Sequence, residues 1–219
     1  VTMERFLDRH VAGRKLAQKL SRYAGRSGVI VLALPRGGVP VAYEVARSMN
    51  APLDVLIVRK LGVPGREELA IGAIASGGIW VLNNDIIESL KIDQKTIDAV
   101  TEQEMKEVQR REGQYRGDRP APDVKGHTII LIDDGLATGA TMLAAVAALR
   151  AQEPARIVVA VPAAAPEAIR LIQPKVDEVV YVIAPGSFEG VGKWYEDFSQ
   201  TPDEEVQNLL AESNLRFRP

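Results

Sequence analysis

Thr128-Ile-Ile-Leu-Ile-Asp133-Asp134-Gly135-Leu-Ala137-Thr138-Gly139-Ala140-Thr141 joins an apolar run, two adjacent carboxylates, a small-residue turn and the start of a helix. Ile129 to Ile132 read as a strand buried in a parallel sheet, and the Ala-rich segment Met142 to Leu149 as the helix after it. The turn between them then lies at the strand's carboxyl end. Gly135 and Gly139 allow backbone conformations and close approaches that a side chain forbids, while Thr138 and Thr141 offer hydroxyl donors. Unpaired N–H groups at the helix start favour an anion. Asp133 and Asp134 cannot bind that anion. They suit a neighbouring diol or a hydrated divalent cation, because ionised carboxylates only accept hydrogen bonds and hard cations prefer oxygen.

Spacing excludes two other glycine loops. The turn lacks the lysine that a P-loop places before its Ser/Thr, and it does not follow Gly-x-Gly-x-x-Gly. An ordinary βα turn with an acidic lip explains each part alone but not the whole string. Asp133 to Thr141 resembles the phosphoribosyl-pyrophosphate (PRPP) signature of type I phosphoribosyltransferases, which transfer ribose 5-phosphate from PRPP to an acceptor, usually a nucleobase. The resemblance implies that Asp133 and Asp134 hold the ribose hydroxyls, directly or through Mg2+, with the metal bound to them directly or through water. It also implies that Ala137, Thr138, Gly139, Ala140 and Thr141 cradle the 5-phosphate. Gly135 departs from the family's usual aliphatic residue.

At 219 residues, the chain is long enough for one α/β domain and short for two. A single domain over 1–219 is expected, with a core of about 26–184 and a cover from 1–25 and 185–219. Apolar runs alternate with helical patterns, which predicts a twisted, mainly parallel sheet with helices on both faces. With 46% hydrophobic and 26% charged residues and a formal charge of -2, the composition is that of a globular protein without a general drive toward nucleic acid. The absence of cysteine excludes disulfides and thiolate chemistry. No long apolar run or signal-peptide pattern is visible, so a cytoplasmic location and no membrane partner are expected.

The strands read from the sequence are Gly28–Leu34, Leu53–Arg59, Thr128–Ile132, Arg156–Val161 and Glu178–Ile183. Ile71–Ile74 and Ile79–Leu82 form an expected hairpin beside that sheet. Helices are expected near Arg5 to Tyr23 and from Asp93 to Tyr115. The second is charged and carries a narrow stripe of Ile97, Val100, Met105 and Val108, with Glu102/Lys106 and Glu107/Arg111 at the favourable i,i+4 spacing. A last helix is expected from a Thr201 cap, with Pro202 at its first position.

Leu34-Pro35-Arg36-Gly37-Gly38 is a second glycine turn at a strand's carboxyl end, the edge where open α/β sheets bind ligands. Arg36 with the Gly37 and Gly38 amides suits a pyrophosphate, and in the resembling family this position is the pyrophosphate loop, often with a non-proline cis peptide. Arg59 and Lys60 follow the second strand, where two cations could neutralise phosphate oxygens or simply be solvated. They resemble the Arg-Lys segment before the mobile loop of adenine phosphoribosyltransferases, which makes Gly62 to Leu69 a candidate lid with Arg66, Glu67 and Glu68 at its tip. Ala137 stands where 6-oxopurine transferases usually have aspartate, as in adenine and uracil transferases. Phe188, Trp194, Tyr195 and Asp197 could stack on and hydrogen-bond a flat base, although a hydrophobic plug explains the same residues. His10 and His127 have no ligand spacing and read as structural or surface residues.

The resemblance thus implies a Mg2+-dependent phosphoribosyltransferase of nucleotide salvage, cleaving the C1–O bond through an oxocarbenium-like state. Asp133, Asp134, Arg36 and Lys60 would be its catalytic residues, and a homodimer is expected. The rivals are a non-catalytic PRPP-binding regulator and a phosphosugar or nucleotide hydrolase.

Overall fold

The computed structural model describes residues 5–63 and 66–216, with backbone alone for 66–69. Its main sheet comprises β1 (Val29–Ala33), β2 (Leu53–Val55), β6 (Thr128–Ile132), β7 (Arg156–Ala163) and β8 (Glu178–Ile183), all parallel, in the order β2-β1-β6-β7-β8. β1 and β6 pair residue for residue from Val29↔Thr128 to Ala33↔Ile132. Their carboxyl ends are therefore level, and the loops that follow them leave the sheet side by side.

Successive strand residues point to opposite faces, and both faces are buried. Val29, Val31, Ala33, Ile130, Ile132, Val158 and Ala160 share one core cluster with α1 (Arg9–Lys19), α2 (Gly38–Met49) and α7 (Asp203–Leu215). Ile30, Leu32, Ile129, Leu131, Ile157 and Val159 share the other with α5 (Ala140–Arg150) and α6 (Pro166–Ile172). The expected mainly parallel α/β architecture is the observed one. Asp8 caps α1 by accepting from the Val11 amide at 2.7 Å.

Between β2 and β6 the chain builds a second layer: an antiparallel sheet of β3 (Val58–Val63), β4 (Arg66–Ala75) and β5 (Ile79–Leu82), then α3 (Asn84–Leu90) and α4 (Gln94–Arg116). The expected strand Leu53–Arg59 is thus two strands in different sheets. The break has a local cause: Ile57 donates to Ser76 Oγ and its carbonyl accepts from the Ser76 amide, both at 2.9 Å, which draws the chain into the second sheet. The stripe on α4 packs as expected, with Ile97 and Val108 buried and Val100 and Met105 half-buried against the same core.

One buried ion pair ties the two layers together. Arg116, 4% exposed in its side chain, reaches Asp54 at 3.1 Å and donates to the Val55 carbonyl at 2.9 Å and to Glu112 at 2.8 Å. Glu112 in turn accepts from the Gly77 amide at the β4–β5 turn. The Thr201 cap is not formed. α7 begins at Asp203, and Pro202 precedes it without a side-chain cap, while Thr201 is buried. Asp203 is instead engaged by Tyr115, which donates its hydroxyl to the carboxylate. Among the described residues no helix is long and apolar enough to cross a membrane.

Candidate active site

Because β1 and β6 end level, the 34–38 loop and the 133–139 turn meet. The Pro35–Arg36 peptide is cis, and α2 starts at Gly38. A methyl group on Gly37 would stand 2.1 Å from Asp134 Oδ2, so no side chain fits between the two loops at this point. Arg36 is a third exposed, with Nη1 3.8 Å from Asp203.

Gly139 caps α5 in the left-handed region at φ 80°, which its lack of a Cβ allows. Gly139, as the N-cap residue, brings no capping side chain to α5. Ala137, Thr138, Ala140 and Thr141 are exposed around its first turn, and the Ala140 amide lies 3.5 Å from Thr138 Oγ1. The chain therefore presents amides and hydroxyls at a helix N-terminus, an arrangement that attracts an anion.

Asp133 Oδ1 accepts from the Asp134 amide at 2.8 Å. Burial pushes the Asp133 carboxyl well above its usual range, and the neighbouring charge of Asp134 pushes the same way. Asp134 is also raised by burial, against the opposing effect of Arg9. Arg9, on α1, donates from Nε to Asp134 Oδ2 at 2.9 Å, with Nη2 also 2.9 Å from that oxygen. Its Nη1 donates to the Ser199 carbonyl at 2.7 Å, and its guanidinium lies 4.1 Å from the centre of the Phe198 ring.

Tyr195 reaches the same carboxylate residue from below. It is 1% exposed, donates its hydroxyl to the Asp134 carbonyl at 2.6 Å, and packs with Phe6 and Phe198 at centroid distances of 5.5 and 5.1 Å. Burial, then the Asp134 charge, pushes its hydroxyl above the ordinary tyrosine range. Phe188 and Trp194 stack on each other at 6.2 Å, and Asp197, exposed, accepts from the Ser199 amide at 2.9 Å. The two terminal segments pair, and we refer to them together as the cover: the Phe6 amide donates to the Trp194 carbonyl, and the Glu196 amide donates to the Phe6 carbonyl, each at 2.8 Å. Val191 from this cover explains the unusual Gly135, since a Cβ there would meet Val191 Cγ1 at 2.4 Å.

The two cations of β3 part company. Arg59 lies on the Leu61 side of the strand and pairs with Glu104 of α4 at 2.6 Å. Lys60, exposed, lies on the Val58 side, the side packed against the α5 layer. Arg66, Glu67 and Glu68 open β4, paired to β3 through Val63↔Arg66, and their side chains lie outside the described residues. Arg9 is the contact that the sequence did not announce. No motif surrounds it, and its partner is 125 residues away.

The family model described as a phosphoribosyl transferase domain matches residues 4–193. Two Mycobacterium tuberculosis proteins, named "Putative phosphoribosyl transferase MT0597" and "Putative phosphoribosyl transferase Rv0571c", are each 45% identical over 98% of this chain and 48% of their own length. The chain thus spans about half the length of these curated relatives. The crystal structure of TT1426 from Thermus thermophilus is 42% identical and superposes with a TM-score of 0.86, covering 95% of this chain and 98% of that one. With its level-ended loops, its acidic pair and these relatives, the chain belongs to the type I phosphoribosyltransferase family.

Proposed function

We propose that the chain binds PRPP across the carboxyl ends of β1 and β6 and transfers its ribose 5-phosphate to a nucleobase or related acceptor, releasing pyrophosphate. The closeness of Gly37 to Asp134 carries this reading, because the loop that holds Arg36 then lies beside an acidic pair whose chemistry suits a diol. In this account the 137–141 turn holds the 5-phosphate and uses that distant binding to position the reacting carbon. Asp133 and Asp134 orient the ribose hydroxyls. Arg36, with the amides of the 36–38 loop, and Lys60 stabilise charge building on the leaving pyrophosphate.

The acidic pair also fits Mg2+, which is commonly held by one or two carboxylates together with substrate oxygens and water. Burial raises both carboxyls, and among the described residues Arg9 is the basic side chain in contact with them, which leaves charge for a cation to offset. When bound, Mg2+ would neutralise diphosphate oxygens. Gly62 to Leu69, with Arg66, Glu67 and Glu68 at its tip, is the proposed lid, and the absence of a carboxylate at Ala137 favours an acceptor other than a 6-oxopurine.

Pyrophosphate release from PRPP and Mg2+, with purines and pyrimidines supplied singly, tests the proposal. Release that requires one base and is lost in the Asp133→Asn/Asp134→Asn double variant is the expected result. A double variant with unchanged PRPP affinity and turnover would overturn the site assignment. Tight PRPP binding with no base-dependent release would overturn the transferase reading in favour of a sensor.

A further inference from the structure

Asp134 sits in the signature, yet the groups that fix its carboxylate come from elsewhere in the chain. Arg9 contacts Oδ2 through two nitrogens at 2.9 Å, and the space over that oxygen is closed by Gly37. The Arg9 contacts to Asp134 both fall on Oδ2, whereas Oδ1 of Asp133 takes the Asp134 amide. The guanidinium is itself fixed, with 11% side-chain exposure, by the Ser199 carbonyl and the face of Phe198. A planar fork held on three sides loses little freedom when it binds a carboxylate, and a lysine could not reproduce both the paired contact and the ring contact.

We propose that Arg9 is a positioning residue for the sugar half of the donor: by saturating Asp134 Oδ2 and bracing it against Ser199 and Phe198, it leaves Oδ1 aimed for a ribose hydroxyl. The proposal rests on the assignment of Asp134 to the ribose. It makes the amino-terminal helix, which packs on the core face shared by β1 and β6, part of the PRPP site. It also makes Phe198 and the Ser199 carbonyl supports of the donor site.

A double-mutant cycle on the full chain separates this role from a merely structural one. PRPP affinity is measured by calorimetry with Mg2+ for the parent, Arg9→Gln, Asp134→Asn and the combined variant, and pyrophosphate affinity is measured without divalent cation. Arg9→Gln is expected to weaken PRPP binding about tenfold in the parent and less than about twofold in the Asp134→Asn background, as for a charge-assisted contact acting through one partner. Pyrophosphate affinity, which depends on the Arg36 loop, is expected to stay unchanged throughout. Arg9→Lys is expected to recover only part of the loss. The proposal is overturned if Arg9→Gln leaves PRPP affinity intact, or if its effect is equally large without the Asp134 carboxylate. A parent chain that does not bind PRPP overturns the functional reading beneath it, a result distinct from either.

Discussion

The 133–141 turn and the cover packed against it meet at Asp134 by opposite routes. In the turn, nine consecutive residues supply the acids, the left-handed glycine and the helix start, so the local chain nearly dictates the geometry. In the cover, Arg9 and Tyr195 reach Asp134 from 125 and 61 residues away, and Phe6 zips to Trp194 and Glu196. The first kind of site survives or fails with its own backbone. The second is a product of packing, and its parts can be loosened one at a time.

The largest effect is expected where the two loops of the core touch. Gly37→Ala would drive a methyl into Asp134 Oδ2, and PRPP affinity measured by calorimetry should fall about 100-fold, because small misplacements at such sites are costly. A dissociation constant within threefold of the parent would mean that the loop contact is incidental. The boundary between turn and cover comes next. Gly135→Ala, meeting Val191 at 2.4 Å, should cost about 1–3 kcal/mol in urea unfolding through overpacking, and Val191→Ala in the same chain should restore most of it. An additive, unrescued double variant would break the claim that Val191 is why position 135 is glycine.

Within the cover, Tyr195→Phe removes the hydroxyl that serves the Asp134 carbonyl. Unfolding should show a loss of about 1 kcal/mol, and a neutral result would mean that this oxygen finds another partner. The smallest effect belongs to the solvated face of α4, far from this contrast. Hydrogen bonds from Arg110 and then Arg111 hold the Glu107 carboxyl down to about 2 from its usual 4.5. A carboxylate whose folded pKa is depressed stabilises fully above its unfolded value and loses that contribution as pH falls toward the folded one. The stability gap between the parent and Glu107→Gln should therefore be below about 0.5 kcal/mol at neutral pH, and it should close between pH 4.5 and 2. A gap that widens on acidification would contradict the pairing.

Residues whose surroundings are their own sequence neighbours were legible in advance. β6, β8, the stripe of α4 and the Ser76-Gly77-Gly78 turn of the small sheet follow from periodicity and turn chemistry. The division of Leu53–Arg59 between two sheets was not, because it depends on Ser76 pairing with Ile57 and on Arg116 gripping Asp54 and Val55. Thr201 had the right spacing for a cap, but tertiary contacts of Asp203 with Tyr115 and Arg36 accompany a later helix start. No motif in the sequence around Arg9 marks it. Its importance lies in what folds against it, which no local pattern encodes.

The ion pair of Arg116 with Asp54 has a mechanical consequence. The small sheet and its helices join the main sheet through two stretches of chain, one leaving β2 and one ending α4, and Arg116 grips both at a single point. The layer is also held along its length, because Ile97 and Val108 of α4 and Leu61, Ile71 and Ile74 of the small sheet are buried in the core shared with β1 and β6. With 23 residues in α4, at about 1.5 Å of rise each, the helix is roughly 34 Å long, so a tilt of about 10° at Arg116 would sweep its far end through about 6 Å. A displacement of that size would pull Ile97 out of its packing, so the grip of Arg116 and the distant apolar contacts set the angle of the helix together.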